Sequence, residues 1–196
     1  MSKEIPLELA ARLTAKVSES FATGEMLEHV SPITAELLRF WFCEPFTNER
    51  GINFHEGQRQ AILNVIYLHE VLKVSNVTDI YKAVVPDLLP VADLGLLSKP
   101  KYAFPKYAIK MATGTGKTWV MHALLLWQML NARHLDSVAA NETPYTQRFL
   151  VVAPGLVVYD RLLDAFKGRL KAGGGTERDP MTNDFRKFEA LFIPPA

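Results

Sequence analysis

The stretch Lys110-Met111-Ala112-Thr113-Gly114-Thr115-Gly116-Lys117-Thr118 decides how this chain is read. An apolar lead-in of Tyr107, Ala108 and Ile109 has the pattern of a strand, the turn after it holds two glycines, and a long apolar run follows the Lys-Thr pair. That order suits a phosphate-binding loop. Backbone N–H groups converge on phosphate oxygens only where no Cβ blocks the approach, so glycines occupy the curve. The N–H groups and positive dipole end of the next helix then face the same anion. In such a loop Ala112, Thr113, Gly114, Thr115 and Gly116 form the cradle, Lys117 reaches the β- and γ-phosphates, and the Thr118 hydroxyl ligates Mg²⁺. The strict Walker A pattern asks for a glycine where Met111 stands, so the match is to the variant A-x-x-G-x-G-K-T, residues 112–118.

Working outward, residues 118 to about 132 predict a helix that is apolar on nearly every side, and so one buried between a sheet and further structure. His122 within it is expected to be a packed, hydrogen-bonded histidine. Residues 133–148 read as a loop. Phe149, Leu150, Val151, Val152 and Ala153 are an unbroken apolar run, as a parallel strand covered on both faces would be. Pro154 and Gly155 end it, and Val158, Leu162, Leu163, Phe166 and Leu170 predict another helix. Residues 171–179, with three consecutive glycines, read as a flexible linker. A last helix is expected over 183–191.

On the other side of the loop, apolar residues from Leu7 to Phe21 at helical spacing, closed by Gly24, predict an amphipathic helix. Ser31 and Pro32 announce a second, whose apolar face holds Ile33, Leu37, Leu38 and Trp41. The aromatic cluster Phe40, Trp41, Phe42 and Phe46 is expected to pack in a core rather than to stack bases. Asn53 and Glu56 have capping-box spacing ahead of a helix over about 56–73. Asn76 caps a short helix at 78–84, after which Pro86, Pro90, Gly95, Pro100 and Pro105 make an irregular connection. Gln58 opens the helix at 56–73. A carboxamide offers a donor beside an acceptor, which matches N6 and N7 of adenine, and Gln60 is the alternative candidate for that role.

The 196 residues are 48% hydrophobic and 22% charged, with a formal net charge of +1. Such a composition predicts a packed interior rather than disorder, and carries no global basic excess to advertise nucleic acid. Cys43 is the single cysteine, which excludes an internal disulfide and a multi-cysteine zinc site and leaves a small buried apolar residue as its expected role. The polar N-terminus is not a secretory signal and no apolar run is long enough to span a bilayer, so the expected protein is soluble and cytoplasmic.

Three features together resemble the restriction-subunit family of superfamily-two helicases, typified by type III restriction enzymes. These are the Gln58 segment, the loop at 112–118 as motif I, and Val152, Ala153, Pro154 and Gly155 as motif Ia. The resemblance implies an α/β fold: a partial RecA-like P-loop NTPase domain over 51–196, with a parallel sheet and helices on both faces, preceded by a helical segment over 1–50. It implies ATP and Mg²⁺ as cofactors, Gln58 as adenine reader, Pro154 and Gly155 as contacts to a nucleic-acid strand, and DNA as the track of an ATP-dependent helicase or translocase. A second RecA-like domain and a methyltransferase are the protein partners it raises.

The departure is an acidic motif II: no adjacent Asp-Glu pair occurs in the sequence. The expectation is therefore the front end of a longer motor that binds ATP without appreciable hydrolysis. The alternative is a non-catalytic nucleotide-binding or regulatory module whose site a partner completes.

Overall fold

Leu13, Val17 and Phe21 recur on one face of the first helix, α1 (Glu4–Ala22), and in the computed structural model all three are buried. The structure describes residues 4–92, 99, 106–135, 144–173 and 175–195. They fall into two compact units, one of Met1–Ala35 with His55–Thr115 and the other of Glu36–Phe54 with Gly116–Ala196.

In the first unit Gly24, at a φ of 85°, ends α1 by taking the left-handed conformation that a Cβ disfavours, and α2 (Glu25–His29) follows. The apolar stripe of α1 packs on α5 (Glu56–Ile66), where Ile62 and Ile66 are fully buried. Polar pairs flank this seam: Ser18 donates to Gln60 Oε1 at 2.8 Å and Asn64 donates to Thr14 at 3.3 Å. α5 runs on into a π-helical turn, Tyr67–Val71, and α6 (Val77–Val84) then packs against α1 with Asn76 as its expected cap. The wide turn carries Glu70. Its carboxylate is buried, accepting from the Ser31 backbone N–H at 2.7 Å and from the Thr34 hydroxyl at 2.5 Å. Ser31 itself caps α3 (Pro32–Phe42) through Thr34 N–H at 3.0 Å, as its sequence position predicts. A carboxylate at that helix start satisfies donors that the helix cannot satisfy internally.

In the second unit the aromatic cluster packs as a core. Trp41 is buried and donates from its indole to the Phe192 carbonyl at 3.1 Å, while Phe54 sits edge-on to both Trp41 and Phe192. Arg50, just after the short helix α4 (Phe46–Glu49), lies over the Phe40 ring at 4.9 Å. The long helix α7 (Lys117–Leu135) has Val120, Ala123, Leu126 and Trp127 on its buried face. α8 (Leu156–Lys167) follows, then the short helices α9 (Asp184–Lys187) and α10 (Glu189–Phe192). Cys43, expected to be buried, is only partly so.

The α/β expectation is overturned. The described residues contain helices and no sheet; their one β-pairing is an isolated antiparallel bridge between Leu170 and Arg178. The runs expected as strands at 107–111 and 149–153 form no strand among the described residues, and Leu150 is 90% exposed. Apolar composition alone does not make a strand, because a strand exists only through a ladder to a neighbour. Neither the parallel sheet nor the helices covering its two faces is present among the described residues. Gly95, Pro100 and Pro105, and much of the expected loop at 133–148, lie outside the described residues.

The segment read as a flexible linker is instead tied down. Lys171 N–H donates to the Glu177 carbonyl at 3.0 Å, Asp179 N–H donates to that of Arg169 at 2.8 Å, and Arg178 pairs with Asp164 at 2.5 Å. Gly168, at a φ of 87°, permits the close approach: a Cβ there would stand 1.7 Å from the Asp179 carbonyl oxygen. Gly168→Ala is therefore expected to destabilise the fold by more than about 2 kcal/mol, read from the urea midpoint. Glu70→Ala, which removes an acceptor from the Ser31 N–H and the Thr34 hydroxyl, is expected to cost about 2 kcal/mol in the same measurement.

Candidate functional site

The loop 112–118 sits where the sequence places it, directly ahead of a helix of 19 residues. Gly114 and Gly116 both adopt positive φ, 81° and 70°, the conformation for which glycine is suited. Nothing lies within 4 Å of where a Gly114 Cβ would project, so the loop is open on that side. Ala112, Thr113, Gly114 and Lys117 are exposed, Thr118 is partly buried, and the Gly116 carbonyl accepts the first N–H of the helix from Trp119 at 2.9 Å. These positions fit a phosphate and its cation: an open face, left-handed glycines, and a lysine and a hydroxyl in the first turn of a helix.

Thr115 is the fixed point of the loop. Its hydroxyl donates to the Ala112 carbonyl at 2.7 Å, and its N–H donates to the same oxygen at 3.5 Å. Its own carbonyl accepts from two side chains, the His55 imidazole at 2.9 Å and the Gln58 amide at 3.3 Å. Sequence reasoning placed Gln58 near this loop but missed His55. It also assigned the cap of α5 to Asn53 and Glu56. In the structure His55 is the cap: its Nδ1 accepts from Gln58 N–H at 3.3 Å, and the Gln58 side chain accepts from His55 N–H at 3.0 Å. Asn53 serves its own loop instead, accepting from Arg50 at 2.7 Å and donating to the Thr47 carbonyl at 2.8 Å. The signal for His55 was present as the spacing H-x-x-Q, a capping box in which an imidazole nitrogen replaces the usual hydroxyl or carboxylate.

Gln58 is 2% exposed, and both ends of its amide are engaged in these contacts. Gln60 is committed elsewhere, accepting from Ser18 and donating to Asn64 at 2.8 Å on the α1 side of the helix. Pro154 and Gly155 are exposed at the start of α8, where the Gly155 carbonyl accepts from Tyr159 N–H at 2.9 Å. Gly155 is extended, at a φ of 173°, a conformation open to any residue. Among the described residues no cluster of His, Cys, Asp or Glu could hold a metal ion, and no helix is long and apolar enough to cross a membrane.

A family model matches residues 51–189, well over half of the chain, and places it among relatives of superfamily-two helicases. The chain belongs to the family described as type III restriction enzyme, res subunit. No curated protein and no solved structure matches it.

His122, on α7, departs from its expected hydrogen-bonded state. It is fully buried among Phe166, Phe185 and Phe192, with ring centroids 4.6, 4.5 and 5.7 Å away, and neither ring nitrogen has a hydrogen-bond partner among the described residues. The nearest carboxylate oxygen, of Asp184, is 3.8 Å from Nδ1. Burial pushes the imidazole down from 6.5 to about 4, and burial also pushes the Asp184 carboxyl up. Because the folded state disfavours the imidazolium, the His122 contribution is fully present above 6.5 and is lost as pH falls toward 4. The Asp184 shift has the opposite sign and offsets part of the loss at the acid end. Replacing His122 by Leu should flatten the pH dependence of stability, with a gain over the parent of up to about 3 kcal/mol near the acid end, measured by urea unfolding across this range.

Proposed function

We propose that the chain binds ATP with Mg²⁺ through residues 112–118 as the nucleotide-handling part of a DNA-acting motor. The observation that carries this is the loop itself: two left-handed glycines flank an anchored Thr115, and a long helix opens at Lys117 and Thr118. Family membership supports the class, since such proteins are generally ATP- and Mg²⁺-dependent helicases or ATPases that act on DNA. Lys117 would hold the β- and γ-phosphates and the Thr118 hydroxyl the cation, which neutralises phosphate charge when bound. Ala112, Thr113 and Gly114 line the open face, where backbone approaches the anion without a side chain between them.

Gln58, rather than Gln60, is the adenine reader in this proposal. It is the glutamine that touches the loop, and a carboxamide offers a donor beside an acceptor. Pro154 and Gly155 are assigned to a nucleic-acid backbone, supported by their exposure at the start of a helix of 12 residues. The division of labour follows from the sequence: binding groups are present, whereas the adjacent Asp-Glu pair that would hold the cation and orient a water is not. A second form of the reading is that a partner or further domain completes the site and this chain is a non-catalytic nucleotide-binding module.

Calorimetric titration of the chain with Mg·ATP is expected to show one-to-one binding, weakened tenfold to a hundredfold, on the order of 1.5–3 kcal/mol, by Lys117→Ala. Equal affinity in the two proteins would remove the reading. DNA-stimulated hydrolysis by the chain alone, lost in Lys117→Ala, would instead contradict the division of labour.

A further inference from the structure

The imidazole of His55 lies between the start of α5 and the loop, and its two neighbours fix its tautomer. Gln58 N–H is a donor, 3.3 Å from Nδ1, so Nδ1 carries the lone pair. Thr115 O is an acceptor, 2.9 Å from Nε2, so Nε2 carries the proton. One neutral ring therefore satisfies both partners at once. The Gln58 amide reaches the same carbonyl but from 3.3 Å, so the imidazole makes the shorter of the two contacts.

What those contacts hold is a peptide plane. In a trans peptide the carbonyl and the following N–H point in opposite directions. Drawing the Thr115 oxygen toward His55 turns the Gly116 N–H the other way. With Gly116 on its C-terminal side, at a φ of 70°, the plane has little intrinsic preference there, because left-handed and right-handed dihedrals are nearly equivalent for glycine. A flip of the plane would present a carbonyl oxygen in place of an N–H, which an anion repels. The grip on the Thr115 oxygen supplies the orientation that Gly116 does not.

We propose that His55, as its Nε2–H tautomer, is the positioning residue that keeps the Thr115–Gly116 peptide turned to receive a phosphate. This deepens the ATP-binding reading and rests on it. His55 and Gln58 are not redundant in this arrangement. When Gln58 turns its amide toward adenine, His55 keeps the carbonyl, so base recognition does not release the loop.

Two substitutions separate the loop contact from the helix cap. His55→Asn keeps a short side-chain acceptor for Gln58 N–H but does not extend to Thr115. His55→Gln extends far enough for its amide to donate to Thr115 O and gives up good capping geometry. Calorimetry with Mg·ATP, and with Mg·triphosphate to test the loop without a base, is expected to show His55→Asn binding about tenfold more weakly while its melting temperature stays within a few degrees of the parent. His55→Gln should recover most of the affinity despite a lower melting temperature. Imidazole ¹⁵N–¹H spectra of the parent should show the Nε2-protonated neutral ring. Parent-like affinity in His55→Asn, while Lys117→Ala weakens binding as above, would overturn the role of His55 and leave the ATP reading standing. An Nδ1-protonated ring would overturn it as well, whether or not the variants fold. No ATP binding by the parent would remove the ATP reading and this inference together.

Discussion

A single backbone oxygen, that of Thr115, organises the loop at 112–118. It accepts from His55 and Gln58, residues that are themselves locked to each other by a reciprocal cap at the start of α5. The cap needs the helix, and the helix needs its apolar stripe buried against α1, where Val17, Ile62 and Ile66 have no solvent exposure. The geometry of a solvent-facing turn thus traces back to hydrophobic burial on the opposite side of a helix. Were the stripe disrupted, the cap would fray, and the carbonyl would lose both donors together.

The parts legible in the sequence were those fixed by local physics. Periodicity located α1, α3, α5 and α7, and Asn76 and Ser31 were found as caps because a short polar side chain ahead of an apolar run has few other uses. The order of lead-in, turn and helix located the loop for the same reason. Misreadings arose wherever two local solutions competed. Asn53 and His55 both precede α5 with a side chain that can accept, and only tertiary structure shows Asn53 occupied by Arg50 and Thr47. The run of glycines after Lys171 looked like a linker, since the contacts that tie it, Arg178 to Asp164 and Asp179 to Arg169, come from outside the run.

Whether a sheet forms was the least legible question in the sequence, because strand pairing is the least local interaction. A helix satisfies its own backbone, so a favourable periodic pattern is nearly sufficient for it. A strand satisfies its backbone only through another strand, and an apolar run records an affinity for cover without naming what provides it. Family membership and the described architecture answer different questions here: the match over residues 51–189 concerns sequence pattern, and the helical character of the described residues concerns which backbone groups have found partners. His122 makes a similar point in a side chain. Its place within an apolar helix showed that it would be buried, while its unpartnered nitrogens were set by three phenylalanines distant in the chain.

The run at 149–153 also bears on how the protein behaves at high concentration. Phe149, Leu150, Val151 and Val152 are all exposed, and Leu150 and Val152 are among the most exposed large apolar residues described. A short β-branched segment with open backbone groups is a template for pairing between copies. Its flanks carry residues that resist that outcome. Arg148 places a charge at one end, and Pro154, which lacks an N–H, stops a ladder at the other. Pairing through this run is thus opposed by two residues whose value lies in contacts they prevent.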